Sequence, residues 1–301
     1  MAQLLGAKVR IGRPVVLGPL SVFPLMSETG GKVEYVPGPE AFDKNLVKVT
    51  ELDPPQVPFL TVENLAPVHL LLVEGETLVG GNQNRTLNTT VFLAPASRTV
   101  VPVSCVEAGR WGGRRDVVRS RSHLPGSLRA AKTASMSSEE GSARWRSDQG
   151  LVWGEVDRQA ARHGVVSKTA ALEDVQQSVS EERVPGIDDV RALTGQVGMV
   201  CASGERVLGL DLFDRPESLR SYLNGLVEGY RLDADDGARP TLAEEIERFL
   251  GEVDASMLVA GPAVGEGEEL RFEGSVMGIG LRVEGDLVHV AAFPHPNRTM
   301  K

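Results

Sequence analysis

Up to about Val106 the chain sets short apolar runs between Gly, Pro, Asn and Asp, the pattern of strands joined by turns. Val15 to Leu17, Ser21 to Leu25, Leu46 to Val49, Phe59 to Val62, Val68 to Val73, Thr90 to Leu93 and Thr99 to Val106 each have strand length. Val68-His69-Leu70-Leu71-Leu72-Val73 hardly alternates, which predicts a central strand buried on both faces. Thr61 to Pro67 reads as a strand end and turn.

The pattern then changes. Arg110, Arg114, Arg115, Arg119, Arg121, Arg129 and Lys132 face only Asp116 among the acids, which reads either as a place for anions to collect or, more simply, as a solvated surface loop. Ser127 to Met136 suits a short helix, and Ser135 to Ser142 reads as mobile. Ser147 is placed to cap a helix through Leu151, Val152, Val156 and Ala160 to Gly164, with Trp153 in the core. A loop is expected next. Gln196 to Ala202 and Arg206 to Phe213 predict a hairpin about Ser203-Gly204-Glu205. Asp214-Arg215-Pro216-Glu217 then opens a helix as a capping box, with Leu219, Leu223, Leu226 and Tyr230 on one face. A second helix is expected from Leu242 to Val253, and strands over Leu270 to Ser275, Gly278 to Val283 and Leu287 to Phe293, with a tight turn at Glu284-Gly285-Asp286.

The elements together predict an α+β fold: a β-rich N-terminal half, sandwich-like or a rolled sheet, packed with a C-terminal α/β half of hairpins and helices. The expected division is 1–110, a basic connector over 111–146, and 147–301, with one integrated domain as the alternative. Length permits either, since 301 residues can bury one large core or two ordinary ones.

Composition narrows the function classes. The formal charge of -9 disfavours general nucleic-acid binding, which leaves only the Arg110 to Lys132 segment for it. Lys8, Arg10 and Arg13 before the apolar stretch Val15 to Met26 resemble an export signal, but Pro14, Pro19 and Pro24 would break its helix. No apolar run approaches the ~20 residues that span a bilayer. With only Cys105 and Cys201, a cytoplasmic setting is expected, and one disulfide between them stays open.

The chemistry concentrates in Glu74 to Thr90, where carboxylates, amides and one guanidinium sit between two apolar runs. In Gly80-Gly81-Asn82-Gln83-Asn84-Arg85 the glycines permit close backbone approach, the amides supply donors and acceptors, and Arg85 offers a planar fork for phosphate or carboxylate. Asn88 extends this set. If the strand persists, Glu74 and Glu76 share a face and form an acid/base pair or share a cation. Cys105 and Glu107 fall on one face of the next strand. Cys105 reads as buried and inert for want of a nearby base. Arg110 and Trp111 suit holding an anion and stacking a ring. Arg146, Ser147 and Gln149 lie at a helix start, where free N–H groups attract phosphate. Asp211 alternates away from Leu208, Leu210 and Leu212, as a weak polar-site candidate and more simply a solvated strand acid. None of the histidines has metal-ligand spacing, and no metal site is inferred.

These blocks, taken in order, resemble a bacterial family. They are Glu74-Gly75-Glu76 through Gly80, Gln83-Asn84-Arg85 with Asn88, Ser104 to Glu107 with Arg110-Trp111, Arg146 to Gly150 with Trp153, and Gly209 to Asp214. The family is the ADP-ribosylglycohydrolase- and rhodanese-phosphatase-associated protein domain, and the likeness runs from Gly18 to Phe293. Its name records gene association and implies a link to ADP-ribose or NAD metabolism, or to conflict with phage. On that analogy Arg85, Arg110 and Arg146 would hold a diphosphate, Trp111 would stack adenine, and Asn82, Asn84 and Asn88 would meet ribose hydroxyls. The first reading is therefore a protein that binds, and in one version processes, a small anionic nucleotide-like ligand. The second is a protein-interaction module. The third is a hydrolase using Glu74, Glu76 or Glu107. The cofactor is left open.

Overall fold

The apolar runs of the first hundred residues become strands in three different sheets. The computed structural model describes residues 2–4, 7–28, 30–113, 116–136, 144–182 and 190–295. In chain order the elements begin β1 (Ala2–Leu4), β2 (Ala7–Ile11), β3 (Val15–Leu17), β4 (Leu20–Met26), β5 (Tyr35–Pro37), α1 (Gly38–Asp43), β6 (Val47–Thr50), β7 (Phe59–Asn64) and β8 (His69–Leu72). Next come β9 (Glu76–Gly80), β10 (Arg85–Leu87), β11 (Val91–Leu93), β12 (Arg98–Cys105), β13 (Val117–His123), α2 (Gly126–Ser135), α3 (Gln149–Arg162) and α4 (Leu172–Glu181). The chain finishes with β14 (Gln196–Ser203), β15 (Arg206–Phe213), α5 (Pro216–Arg231), α6 (Ala243–Ala255), β16 (Met257–Pro262), β17 (Val264–Gly265), β18 (Glu268–Glu273), β19 (Val276–Val283) and β20 (Asp286–Pro294). With 26% helix and 39% strand, the fold is α+β and β-rich.

A ten-stranded sheet runs β1-β2-β4-β14-β15-β20-β19-β18-β16, with β3 added beside β4. The early strand β4 pairs with the later β14, so the first and last parts of the chain share this sheet. Helix α5 covers one face through Leu219, Leu223, Leu226 and Tyr230, and α6 packs Ile246, Phe249, Leu250 and Val253 on the other. A six-stranded sheet, β13-β9-β10-β12-β7-β6, rolls until its outer strands β13 and β6 touch. Its interior is filled by Val49, Leu60, Val62, Leu78, Leu87, Val101 and Val103. A third sheet, β17-β11-β8-β5, places β8 in an interior position with Leu70, Leu71 and Leu72 fully buried, as the unbroken apolar run predicts.

Several expectations are revised. Residues 172–181 form α4 where a loop is expected, because Leu172, Val175, Gln176 and Val179 make a helical stripe that packs beside α3. Asp148, and not Ser147, caps α3, its Oδ1 accepting from the N–H groups of Gly150 and Leu151 at 2.8 and 3.2 Å. Trp153 is 37% exposed and lies outside the core. Asp214 makes no capping box for α5; it accepts from the Tyr35 hydroxyl and pairs with Arg215. The basic segment is not one solvated loop: it forms β13, then α2 where the short helix Ser127 to Met136 is expected, with Arg129 and Lys132 fully buried. Arg114, Arg115 and most of the stretch expected to be mobile, 137–142, lie outside the described residues. Cys105 and Cys201 are both buried and free. No helix among the described residues is long and apolar enough to cross a membrane.

One charge network joins the sheets. Arg129 on α2 gives its Nε to Glu74 Oε1 at 2.7 Å and both terminal nitrogens to Asp211 of β15, at 2.6 and 3.0 Å. Lys132, one turn on, gives Nζ to Glu74 Oε2 at 2.8 Å and to the Leu87 carbonyl at 2.7 Å. Tyr230 donates to Asp211 at 2.8 Å, and His289 of β20 stands 3.6 Å from it. Burial alone would raise the carboxyls of Glu74 and Asp211; the Arg129 charge, with Lys132 beside Glu74 and His289 beside Asp211, outweighs it and holds both below the ordinary carboxylate range. Asp211 is thus no solvated strand acid, because α5 closes the face opposite Leu210 and Leu212.

Removing one member strands the others in a dry interior. Arg129→Met is expected to cost about 3–5 kcal/mol in chemical denaturation, and a loss under about 1 kcal/mol would show that the network is solvated. His123, on β13, is pushed well below the ordinary imidazole range by burial and by the charges of Arg129 and Arg119. It stays neutral in the native state while the unfolded chain takes up a proton below pH of about 6.5, so its contribution is present above that pH and lost below it. Stability is expected to fall by up to about 1.4 kcal/mol per pH unit between pH 6.5 and 5. In His123→Gln that slope should vanish; an unchanged slope would assign it elsewhere.

Candidate functional site

Because the six strands of the rolled sheet run antiparallel, one open end of the roll collects alternate strand ends. There β6 runs into Glu51, β9 into Gly80 and Gly81, and β12 into Cys105, while β10 begins at Arg85. Gly81 has φ of +55°, in the left-handed region that favours glycine, and a Cβ there would lie 2.7 Å from Glu51 Oε1, so a side chain at this turn would displace the carboxylate. Glu51 Oε1 accepts the Asn82 N–H at 2.8 Å.

Arg85 sits directly across from Cys105 in the β10–β12 register and is 1% exposed. Its Nη1 donates to Gln83 Oε1 at 3.1 Å, whereas Nε and Nη2 are buried with no partner. The Trp111 ring lies over the guanidinium at 5.9 Å and is itself 59% exposed. Cys105 donates to the same Gln83 oxygen at 3.2 Å. Burial pushes its thiol up, against the opposing pull of the Arg85 charge, so it stays protonated at neutral pH.

Around this centre the other polar groups satisfy one another. Arg110 grips both Glu107 oxygens, at 2.9 and 2.7 Å, and also bonds the carbonyls of Gly80, Gly81 and Gly112 and the Asn84 side chain. Burial would raise Glu107, but the Arg110 hydrogen bond and the Asn84 N–H hold its carboxyl low, so it keeps no proton to give near neutrality. Gln83 Nε2 donates to the Glu107 carbonyl at 2.9 Å. Arg110 therefore staples the loop, and its fork has no vacancy for a phosphate.

The segment after residue 143 docks on β12. Gln149 bonds both the N–H and C=O of Cys105, at 2.9 and 2.8 Å. Ser147 and Ser104 share a hydrogen bond of 2.5 Å; Ser104 donates to Asn88, which donates to the Trp145 carbonyl. Arg146 is exposed and lies over the Phe59 ring. Asn82, Gln83, Asn84, Arg85, Asn88, Arg110, Trp111, Ser147 and Gln149 are thus brought to one region, although Asn88, Ser147 and Gln149 spend their groups holding the fold. The first N–H groups of α3 are taken by Asp148, which leaves no anion site there for Ser147 to complete.

Glu74, Glu76 and Asp211 face elsewhere. The strand does not persist through Gly75, whose φ of +84° makes a turn, so the expected Glu74 and Glu76 pair does not form. Glu76 instead takes the Tyr222 hydroxyl at 2.7 Å and Arg119 at 2.8 Å. Glu51, absent from the expected set, is the group that sequence reading missed; a carboxylate directly after the alternating run Val47 to Thr50 is its only signal. No group of three or more His, Cys, Asp and Glu among the described residues is placed to hold a metal ion.

A β-rich α+β protein with its polar cluster at the end of a rolled sheet is the class that these observations define. The chain belongs to the family described as the ARG and Rhodanese-Phosphatase-superfamily-associated Protein domain, whose model matches residues 8–293. No curated protein and no solved structure matches it.

Proposed function

We propose that the protein binds a small anionic ligand at the open end of the rolled sheet, with Arg85 meeting the charged group and Trp111 packing against a ring. One observation carries this reading. Arg85, Arg129, Lys132, Arg144, Arg231 and Arg271 are buried. Among the described residues every one of them except Arg85 has a carboxylate within ion-pair distance. A buried guanidinium with two idle donors is costly unless something joins it, and its planar fork matches phosphate or carboxylate. The association in the family's name with ADP-ribosylglycohydrolase and rhodanese-phosphatase proteins favours a nucleotide-like ligand of the ADP-ribose class.

The reading is one of recognition. Cys105 is held as a thiol, Glu107 is engaged by Arg110, and Glu74 lies inside the charge network. Trp111 sits on a short loop and is 59% exposed, so its ring has open solvent to shift into as ligand enters.

Thermal melting should show the effect. Inorganic phosphate, AMP, ADP-ribose and NAD are the probes, and one present at 100 times its Kd stabilises the fold by about 2.7 kcal/mol. Arg85→Met is expected to abolish that gain while leaving the ligand-free protein as stable as the wild type or more so, because an unpaired buried charge is removed. Stabilisation by none of the probes, or an undiminished gain in Arg85→Met, would overturn the proposal.

A further inference from the structure

Glu51 is a second unsatisfied group at the same end of the roll, and it is opposite in kind. Its Oε1 accepts from Asn82, but its Oε2 is buried with no partner. Glu51 follows the end of β6 and Arg85 opens β10, and both bear on the Cys105 thiol, in opposite senses. They nevertheless do not pair: each keeps idle hydrogen-bonding atoms while the other lies beside the same residue. Opposite charges buried near one another normally pair. Here other partners hold them apart: the Asn82 backbone N–H holds Glu51 Oε1 and the Gln83 side-chain oxygen holds Arg85 Nη1.

Two idle donors and one idle acceptor define what fits. A bare anion satisfies Arg85 and repels Glu51. An ammonium group brings three donors and needs several acceptors, whereas one free oxygen is on offer, because Gln83 Oε1 already takes Arg85 and Cys105. A hydroxyl needs one acceptor. We propose that Glu51 accepts a hydrogen bond from a sugar hydroxyl of the ligand, so that the site takes a sugar phosphate, with phosphate on Arg85 and hydroxyl on Glu51. This inference rests on the Arg85 reading and adds the residue that separates a sugar phosphate from other phosphates.

Calorimetric titration of the full chain with ribose 5-phosphate, methyl phosphate, inorganic phosphate and phosphoethanolamine tests it, in the wild type, Glu51→Gln and Arg85→Met. Ribose 5-phosphate is expected to bind about ten- to hundredfold more tightly than methyl phosphate. Glu51→Gln should erase that advantage and leave inorganic phosphate bound equally well or better, since a negative charge has gone. Should Glu51→Gln fail to fold, the wild-type series decides alone: equal affinity for ribose 5-phosphate and methyl phosphate overturns the inference. A preference for phosphoethanolamine would overturn the hydroxyl assignment in favour of an ammonium. If the phosphates bind through Arg85 and Glu51→Gln changes nothing, only the Glu51 inference falls. If none binds, or Arg85→Met binds as well as the wild type, the Arg85 reading falls with it.

Discussion

Arg129 reaches from one short helix into two sheets at once. Its guanidinium is fully buried between Glu74, at the turn into the rolled sheet, and Asp211, inside the ten-stranded sheet. Such a pair contributes little net stability compared with an apolar replacement, but its geometry is unforgiving, because any misalignment leaves a charge without a partner. Glu74 cannot move without releasing Lys132, which also holds the carbonyls of Leu87 and Asn88. The start and end of the Glu74 to Asn88 segment are therefore fixed from behind. Its polar middle, Gly80 to Arg85, faces the open end of the roll.

That arrangement separates two uses of charge. In the interior each buried Arg or Lys among the described residues other than Arg85 has a carboxylate within ion-pair distance, and the pairs of Arg129 with Glu74 and Asp211 set how two sheets lie on each other. At the open end the match is deliberately incomplete in structural terms: Arg110 is saturated, while Arg85 and Glu51 each keep atoms with nothing to bond. Preorganised polar groups left unsatisfied by the fold are the usual mark of a binding site, since the ligand then completes a network instead of competing with one. The cost shows in the protein's own stability, and the proposed gain from replacing Arg85 by an apolar residue follows from the same reasoning.

Much of this fold was legible in the chain. The β-rich first part, the interior strand at Val68 to Val73, the hairpin about Gly204 and the apolar face of α5 all follow from local periodicity, which is what sequence patterns report. The band Gly80 to Arg85 stood out because glycines and amides between apolar runs are chemically unusual. What periodicity cannot report is who covers a face. Asp211 alternates correctly away from Leu210 and Leu212, yet α5 turns its side of the sheet into core. Nor can spacing distinguish a polar residue that is spent from one that is idle. Asn88, Ser147 and Gln149 look like ligand contacts until Ser104 and the Cys105 backbone are seen to occupy them. Glu51 had no motif around it; its role depends on Gly81, which lies 30 residues further on, closing against it in space.

The most direct measurement is a crystal structure of the protein soaked with AMP. Phosphate density within hydrogen-bonding distance of Arg85 Nε and Nη2, with the Trp111 ring displaced or stacked on the base, is the predicted result. Ligand bound elsewhere, for instance in the groove lined by Thr133, Met136 and Phe272, with Arg85 unchanged beneath Trp111, would contradict the account.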